Sequence, residues 1–408
     1  VNAARDFVKL WAANTVSDFG SLVTRTALPF AAVLMLNATP FQMALLSAAD
    51  LVAGLLVGLI AGVWLDRMRR RPVMIATDLG RAVLLVTIPV AAALGVLRIE
   101  QLYAVEFLAG AMTMVFVVAY QAYLPTLVRR EELVRANSVL TASSAVSEVV
   151  AFGSTGWLVQ ILTAPMALLL DAFSFLFSAA AIGAIRHPEP ASLIVRERPK
   201  IWGEIVDGAR AVAGDRVQLA TAASLVTVEL GFQMIRPVYL LFTAKQLGFS
   251  PGVLGMIFGL GGISSLAGSL LVARAARRWG HGMTMIGGLI LGGVGMLLTP
   301  LARDTGWVSL SLLIGQQLIA DGAVTAYEVA QVSLRQAITP DRILGRVNAT
   351  IRFTSHLMML GAVLLGGILG QTVGLRGTLV LGSCMAFVAA MWLVASPVRT
   401  MREVPPAT

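Results

Sequence analysis

The residues of this 408-residue chain that could do chemistry are charged side chains set inside long apolar runs. An ionised group at the centre of a membrane-spanning helix costs about 2.5–3.5 kcal/mol, so such groups face a protein interior or a watery cavity and usually have a use. The acids singled out are Asp18, Asp50, Glu106, Glu148, Asp171, Glu229, Asp321 and Glu328; the bases are Arg25, Arg81, Arg236 and Arg352, with His356 as a possible switch. The surplus of acids suits protons or cationic amphipathic compounds. Asp18 and Arg25 stand seven residues apart and share a helix face, and Glu229 with Arg236 and Asp321 with Glu328 repeat the spacing. That is about 10 Å along an axis, so each charge should find partners on neighbouring helices or in water. Asp18 and Glu229 are the first choices for coupling or substrate binding, with structural ion clusters as the alternative. Asp50 is expected to pair with Arg25.

The elements that must position these groups are membrane helices. The chain is 57% hydrophobic and only 13% charged, far too apolar for a soluble protein of this length. At about 20 residues per span, twelve runs qualify, from Phe7 to Leu36 through to Leu375 to Ala395. The first is expected to be a retained helix, since no small-residue cleavage signature accompanies it. Basic residues separate by side. Arg5, Lys9, Arg67, Arg69, Arg70, Arg71, Arg129, Arg130, Arg135, Arg186 and their later equivalents fall on one side, against Arg98, Lys245, Arg303 and Arg376 on the other. Such a bias marks the cytoplasmic face and puts both termini there. It also accounts for the net charge of +9 without nucleic acid, because no basic domain with interleaved aromatics exists.

The expected organisation is a six-helix bundle over 1–185, a cytoplasmic linker over 186–216 and a second six-helix bundle with a short tail over 217–408. Two prolines in Arg186-His187-Pro188-Glu189-Pro190 end the sixth helix. Beyond them Ile201, Trp202, Ile205, Val206, Ala209 and Val212 recur at helical spacing, as in an amphipathic helix lying on the inner leaflet. An offset of 211 residues carries Asp18 to Glu229, Gly20 to Gly231, Arg25 to Arg236, Arg67 to Arg278, Arg135 to Arg346 and Asn137 to Asn348. One register joining loops and helix interiors points to a duplicated six-helix unit.

Between the second and third spans lies Gly62-Val63-Trp64-Leu65-Asp66-Arg67-Met68-Arg69-Arg70-Arg71. Its pattern G-x-x-x-D-R-x-x-R-R resembles the loop between helices 2 and 3 of the major facilitator superfamily of transporters. Leu133, Arg135, Ala136 and Asn137, Arg335-Gln336, Pro340 and Gly345-Arg346-Val347-Asn348 match loops of its exporter branch. Asp171-Ala172-Phe173-Ser174-Phe175 looks like the macrolide and siderophore exporters. The resemblance implies an all-α fold of twelve helices in two pseudo-symmetric bundles, with a substrate site near the midplane between the repeats. It further implies a latch at Gly62, Asp66, Arg67, Arg70 and Arg71, and helices 1 and 7 lining the substrate path. Glu106 stands where many proton-coupled drug exporters carry Arg, and Gly153-Ser154-Thr155-Gly156 after Glu148 lacks the Gly-Pro of the antiporter motif. Close packing through those small residues is the favoured reading. Asp171 is expected to be scaffold or gate.

No P-loop, H-E-x-x-H or G-x-S-x-G occurs; His187, His281 and His356 are isolated, and Cys384 is the one cysteine. No cofactor or metal site is therefore expected, and no enzyme. The expected function is proton-coupled export of amphipathic small molecules from a bacterial inner membrane by a monomer in contact with lipid. The alternatives are a metabolite facilitator or importer, a lysophospholipid flippase, and, more remotely, a membrane receptor or enzyme.

Overall fold

The computed structural model describes residues 2–65, 68–187, 189 and 201–402, and among them no strand occurs. Fourteen α-helices follow one another: α1 (Asn2–Leu34), α2 (Pro40–Leu65), α3 (Arg70–Ala93), α4 (Ile99–Leu127), α5 (Leu133–Leu162), α6 (Ala164–Gly183), α7 (Ile201–Gly214), α8 (Arg216–Leu240), α9 (Pro251–Trp279), α10 (His281–Leu298), α11 (Trp307–Gln316), α12 (Gly322–Ile338), α13 (Asp341–Thr372) and α14 (Leu375–Val394). Eleven stretches among the described residues are long and apolar enough to cross a membrane. The twelfth expected span is α1, which is 33 residues long but carries Arg5, Asp6, Lys9, Asp18 and Arg25. Two expected spans are not uniform α-helix. A wide turn at Leu241–Gln246 ends the one begun by α8, and another at Gln317–Asp321 joins α11 to α12.

The chain forms two compact units. The first comprises Val1–Ala38, Leu45–Glu197 and Ser250–Gly259; the second comprises Thr39–Ala44, Arg198–Phe249 and Leu260–Thr408. Within the first, α6 packs on α1 and α3, α3 on α4, and α1 on α5. Within the second, α14 packs on α8 and α10, α10 on α12, and α8 on α13. These pairings correspond under the 211-residue offset, and so do the cores. Met74, Phe116, Tyr123 and Ile182 lie in the first core, and their counterparts Met285, Tyr327, Leu334 and Leu393 in the second. Outward, Val83, Ile161, Leu270 and Trp307 stay exposed, as expected of side chains meeting lipid rather than water.

Each unit includes the first turns of a helix from the other repeat. In the first unit α9 begins against α5 so closely that a Cβ on Gly156 would overlap the Pro251 carbonyl oxygen. Gln160 Oε1 accepts the Gly252 N–H at 2.9 Å, satisfying a donor that the start of α9 leaves open. In the second unit Gly367 of α13 meets Pro40, Phe41 and Ala44 in the corresponding way, and Gln371 Nε2 donates to Thr39 Oγ1 at 3.3 Å. Gly156, Gln160, Pro251 and Gly255 correspond under the offset to Gly367, Gln371, Pro40 and Ala44. Thr39 and Gln42 form a capping box at the start of α2, with N–H to side-chain distances of 2.9 and 3.3 Å.

The linker helix α7 packs on α13. Gly208 is buried where a Cβ would meet the Arg346 carbonyl, and Val212 joins Ala222, Val347 and Ile351 in a small core. Asp207 pairs with Arg346 at 3.4 Å. Val206 remains exposed. One edge of the helix docks on protein, because Gly208 lets two backbones approach; of the stripe expected to lie on lipid, Val206 and Ala209 are exposed, Val212 is buried, and the side chains of Ile201, Trp202 and Ile205 lie outside the described residues.

Candidate functional site

In the second unit α8 presents Glu229 and α12 presents Glu328, half-buried and close enough for their charges to act on each other. Asp321 ends the wide turn one face-repeat before Glu328 and feels the same charge. Glu328 thus lies within electrostatic reach of two other acids picked from sequence, Glu229 and Asp321. The wide turn sets Asp321's position, and such turns recur at functional sites because they free backbone groups. Here Ser264 of α9 takes up the slack: its Oγ donates to the Leu318 carbonyl at 2.7 Å and accepts the Gly322 N–H at 3.0 Å. The Asp321 carboxylate lies directly on Gly261 of α9, where any Cβ would overlap Oδ2.

The first unit has the mirror of that contact. Asp50 of α2 lies against Gly110 of α4, with Oδ1 3.1 Å from where a Cβ would sit. Under the 211-residue offset Asp50 corresponds to Gly261 and Gly110 to Asp321. Both repeats therefore place one carboxylate and one glycine at the same crossing, with the two helices exchanging roles.

Asp18 of α1 is half-buried between α5 and α4, accepting a hydrogen bond from Ser144 Oγ and facing Tyr120. One helix face lower, Trp11 Nε1 donates to Ser143 Oγ at 2.7 Å. The counterparts of Ser144 and Tyr120 are Ser355 and Gln331, whose buried side-chain atoms have no hydrogen-bond partner within the unit. Glu229, at Asp18's register position, lies within reach of the charge of Glu328. The two acids share a register and differ in what they face.

The sequence profile of the Major Facilitator Superfamily matches residues 10–315 and, separately, residues 221–408. The chain belongs to that superfamily. It is thus a multi-pass membrane transporter. A protein of Bacillus subtilis (strain 168), an uncharacterized MFS-type transporter named YfiS, is 20% identical over 404 residues, spanning 98% of this chain and 95% of its own. Among solved structures, a bacterial homologue of the iron transporter ferroportin in its inward-facing state superposes with a TM-score of 0.77 at 17% identity, covering 96% of this chain and 98% of that one. The nucleoside transporter NupG gives a TM-score of 0.72 at 15% identity, covering 97% and 99%. These likenesses establish the superfamily's fold.

The remaining sequence-selected residues of this superfamily member are dispersed. Arg25 and Glu148 are exposed on α1 and α5; Arg236 and Glu106 are half-buried. Of the loop residues expected to latch, Asp66 and Arg67 lie outside the described residues, and so do the surroundings of Gly62 within α2. Arg70 and Arg71 are placed within the first unit. Glu189 caps the start of α3, accepting the N–H groups of Arg70 and Arg71 at 2.6 and 3.2 Å, with Arg70 Nη1 3.8 Å away. The Arg71 guanidinium donates from Nε to the Ile182 carbonyl at 3.1 Å and from Nη2 to Gly183, closing the open end of α6. At the same end Lys9 Nζ reaches Asp6 Oδ1 at 2.8 Å and the Ala184 carbonyl at 2.7 Å. Burial pushes the Asp6 carboxyl up, but Lys9 and the N–H groups of Arg186 and His187 outweigh it and hold the group below the usual carboxylate range.

Asp171 of α6 is fully buried with Arg81 and Asp78 of α3. Sequence reasoning missed Asp78. The signal was present: an acid three residues before a base, inside an apolar run, is a pair on one helix face.

Proposed function

We propose that this transporter couples proton movement to the export of amphipathic small molecules of the drug or siderophore type, by alternating access across a bacterial cytoplasmic membrane. The observation that carries the reading is the placing of Glu328 relative to Glu229 and Asp321. Glu328 is close enough to Glu229 and to Asp321 for its charge to act on both, and a group that gains and loses a proton with conformation is what coupling to a pH gradient requires. Asp18, at Glu229's register position, is the corresponding candidate in the first unit, with Arg25 and Arg236 on the same helices. The excess of acids over bases suits a cationic, amphipathic cargo. The bundles 1–185 and 217–408 would act as the moving bodies, joined by the linker 186–216, with both ends cytoplasmic and the protein working as a monomer without a cofactor.

The test is uptake into proteoliposomes under an imposed pH gradient, with cationic drugs and siderophores as probes. Wild type should accumulate its cargo in proportion to the gradient. Glu229→Gln should abolish gradient-driven accumulation while leaving downhill movement of cargo. Movement that ignores the gradient in the wild type removes the antiport reading and favours a facilitator.

A further inference from the structure

Arg81 sits in the middle of the first unit at 1% exposure, clamped between two aromatic rings, with its guanidinium carbon 4.0 Å from the Phe175 centroid and 4.8 Å from that of Phe116. It donates to Asp78 Oδ1 and, at 3.2 Å, to Thr113 Oγ1 of α4. Asp171, 1% exposed, faces the same cation, and neutral hydroxyls occupy its oxygens: Thr24 of α1 donates to Oδ2 and Ser174 to Oδ1 at 2.7 Å. Asp78 is fully enclosed, yet its Oδ2 accepts no hydrogen bond; the Ser178 hydroxyl is near it but outside bonding geometry. Two carboxylates and one guanidinium leave a unit of negative charge uncompensated in a site sealed from water. Protein interiors do not tolerate that without a counterion or a proton.

Among the described residues the surrounding elements supply no second cation. On α1, Arg25 is next to Thr24 but exposed, and Asp18 turns to Ser144 of α5. On α4 the nearest titratable groups are Glu106 and Tyr120, each seven residues from Thr113 and so about 10 Å along the axis, and neither is a cation. Glu148 of α5 is exposed. The charges acting on Asp171 are those of Arg81 and Asp78.

The second unit is an internal control. Under the 211-residue offset Thr24, Asp78, Arg81, Thr113, Asp171 and Ser174 become Ile235, Leu289, Gly292, Val324, Gly382 and Met385. The contacts persist without the charges: Gly231 packs on Gly382 and Met385 as Gly20 does on Asp171 and Ser174, Gly382 on Ile235, and Gly292 on Val324. The crossing therefore packs with no ionisable group at all, and scaffolding alone does not account for the charges in the first unit.

We propose that Asp78, Arg81 and Asp171 form a binding site for a single proton, shared by the two carboxylates and held against Arg81 within the first bundle. This site is separate from the Glu229, Asp321 and Glu328 group and does not rest on the export reading. Either carboxylate can carry the proton, and its titration belongs to the pair. One bound proton makes the cluster neutral.

The experiment is infrared spectroscopy of the purified full chain in lipid nanodiscs, with aspartate labelled by carbon-13 at its side-chain carboxyl, in the wild type and in an Asp321→Asn background. A protonated aspartic acid carbonyl band should be present at neutral pH in both. Made in the Asp321→Asn background, Asp171→Asn and Asp78→Asn should each remove it, because the remaining carboxylate and Arg81 are already neutral as a pair; Glu229→Gln should not. Absence of a protonated aspartic acid in the wild type overturns the proposal without recourse to any variant. A band that persists in both asparagine variants overturns it too, since the proton then lies elsewhere. Stability gives a second reading: the wild type should lose thermal stability as rising pH strips the proton, and Asp171→Asn should not follow it.

Discussion

Replacing Gly156 by alanine tests a close backbone-to-backbone helix crossing in the first unit. A Cβ there would overlap the Pro251 carbonyl oxygen and lie 2.7 Å from Gly255 Cα and 2.8 Å from its N. All three are backbone atoms, so no rotamer change relieves the clash, and the start of α9 must back away by roughly 1 Å. Overpacking of this kind costs about 1–3 kcal/mol. The retreat also stretches the 2.9 Å bond from Gly252 N to Gln160 beyond useful range, for about 1 kcal/mol more. Alanine returns up to about 1 kcal/mol through its better helix propensity. The expected net loss is about 2 kcal/mol.

Two controls sharpen this. Gly153 lies on the same helix, but a Cβ there would meet nothing within 4 Å, so Gly153→Ala should hold or raise stability. Gly367→Ala faces the Ala44 methyl, with Phe41 Cα and the Pro40 oxygen each at 3.1 Å, a looser set that should cost less. Unfolding of the detergent-solubilised proteins followed by tryptophan fluorescence should rank Gly156→Ala least stable, then Gly367→Ala, then Gly153→Ala. If Gly156→Ala and Gly153→Ala unfold together, the close approach of α5 and α9 does not exist in the folded protein.

The ends of α3 and α6 carry two further predictions. Glu189→Ala removes the cap on α3 and should lower stability by about 0.5–2 kcal/mol, whereas Glu189→Gln keeps an acceptor and should lose only the helix-dipole contribution, about 0.3–1 kcal/mol; equal losses in thermal unfolding would show that the carboxylate does not cap α3. Asp6 is held below the usual carboxylate range, so its contribution is complete above the ordinary aspartate value of about 3.9 and is lost as the pH falls through its lower native value. Asp6→Asn should therefore cost about 1 kcal/mol at neutral pH, given the partly exposed Lys9, and nothing in strong acid. A wild type and Asn variant with parallel stability curves across the acid range would remove the Asp6–Lys9 clamp from the account.

What the sequence could reveal depended on whether a feature was local. Spans and the duplication are written in hydropathy and in one constant offset, and the packing of both cores follows that offset. The wide turn at Gln317–Asp321 is not local: it persists because Ser264, far away in sequence, bonds to the Leu318 carbonyl and the Gly322 N–H, so the run itself reads as an ordinary span. The relation between Asp50 and Asp321, both visible as acids in apolar runs, was hidden for a different reason. An offset compares each residue with its own counterpart, and on that comparison Asp50 against Gly261, and Gly110 against Asp321, are two unrelated mismatches. Only contact shows that they are one feature, a carboxylate on a glycine, kept at one crossing while the helix that bears it changed. A charge that survives such an exchange is held by the crossing rather than by a position in the chain. The Asp78, Arg81 and Asp171 group took the opposite course, present in one repeat and replaced by Leu289, Gly292 and Gly382 in the other. Duplication thus separates the charges here into two kinds: the carboxylate at the Gly110 and Gly261 crossings, which both bundles retain, and the buried triad, which only the first bundle bears.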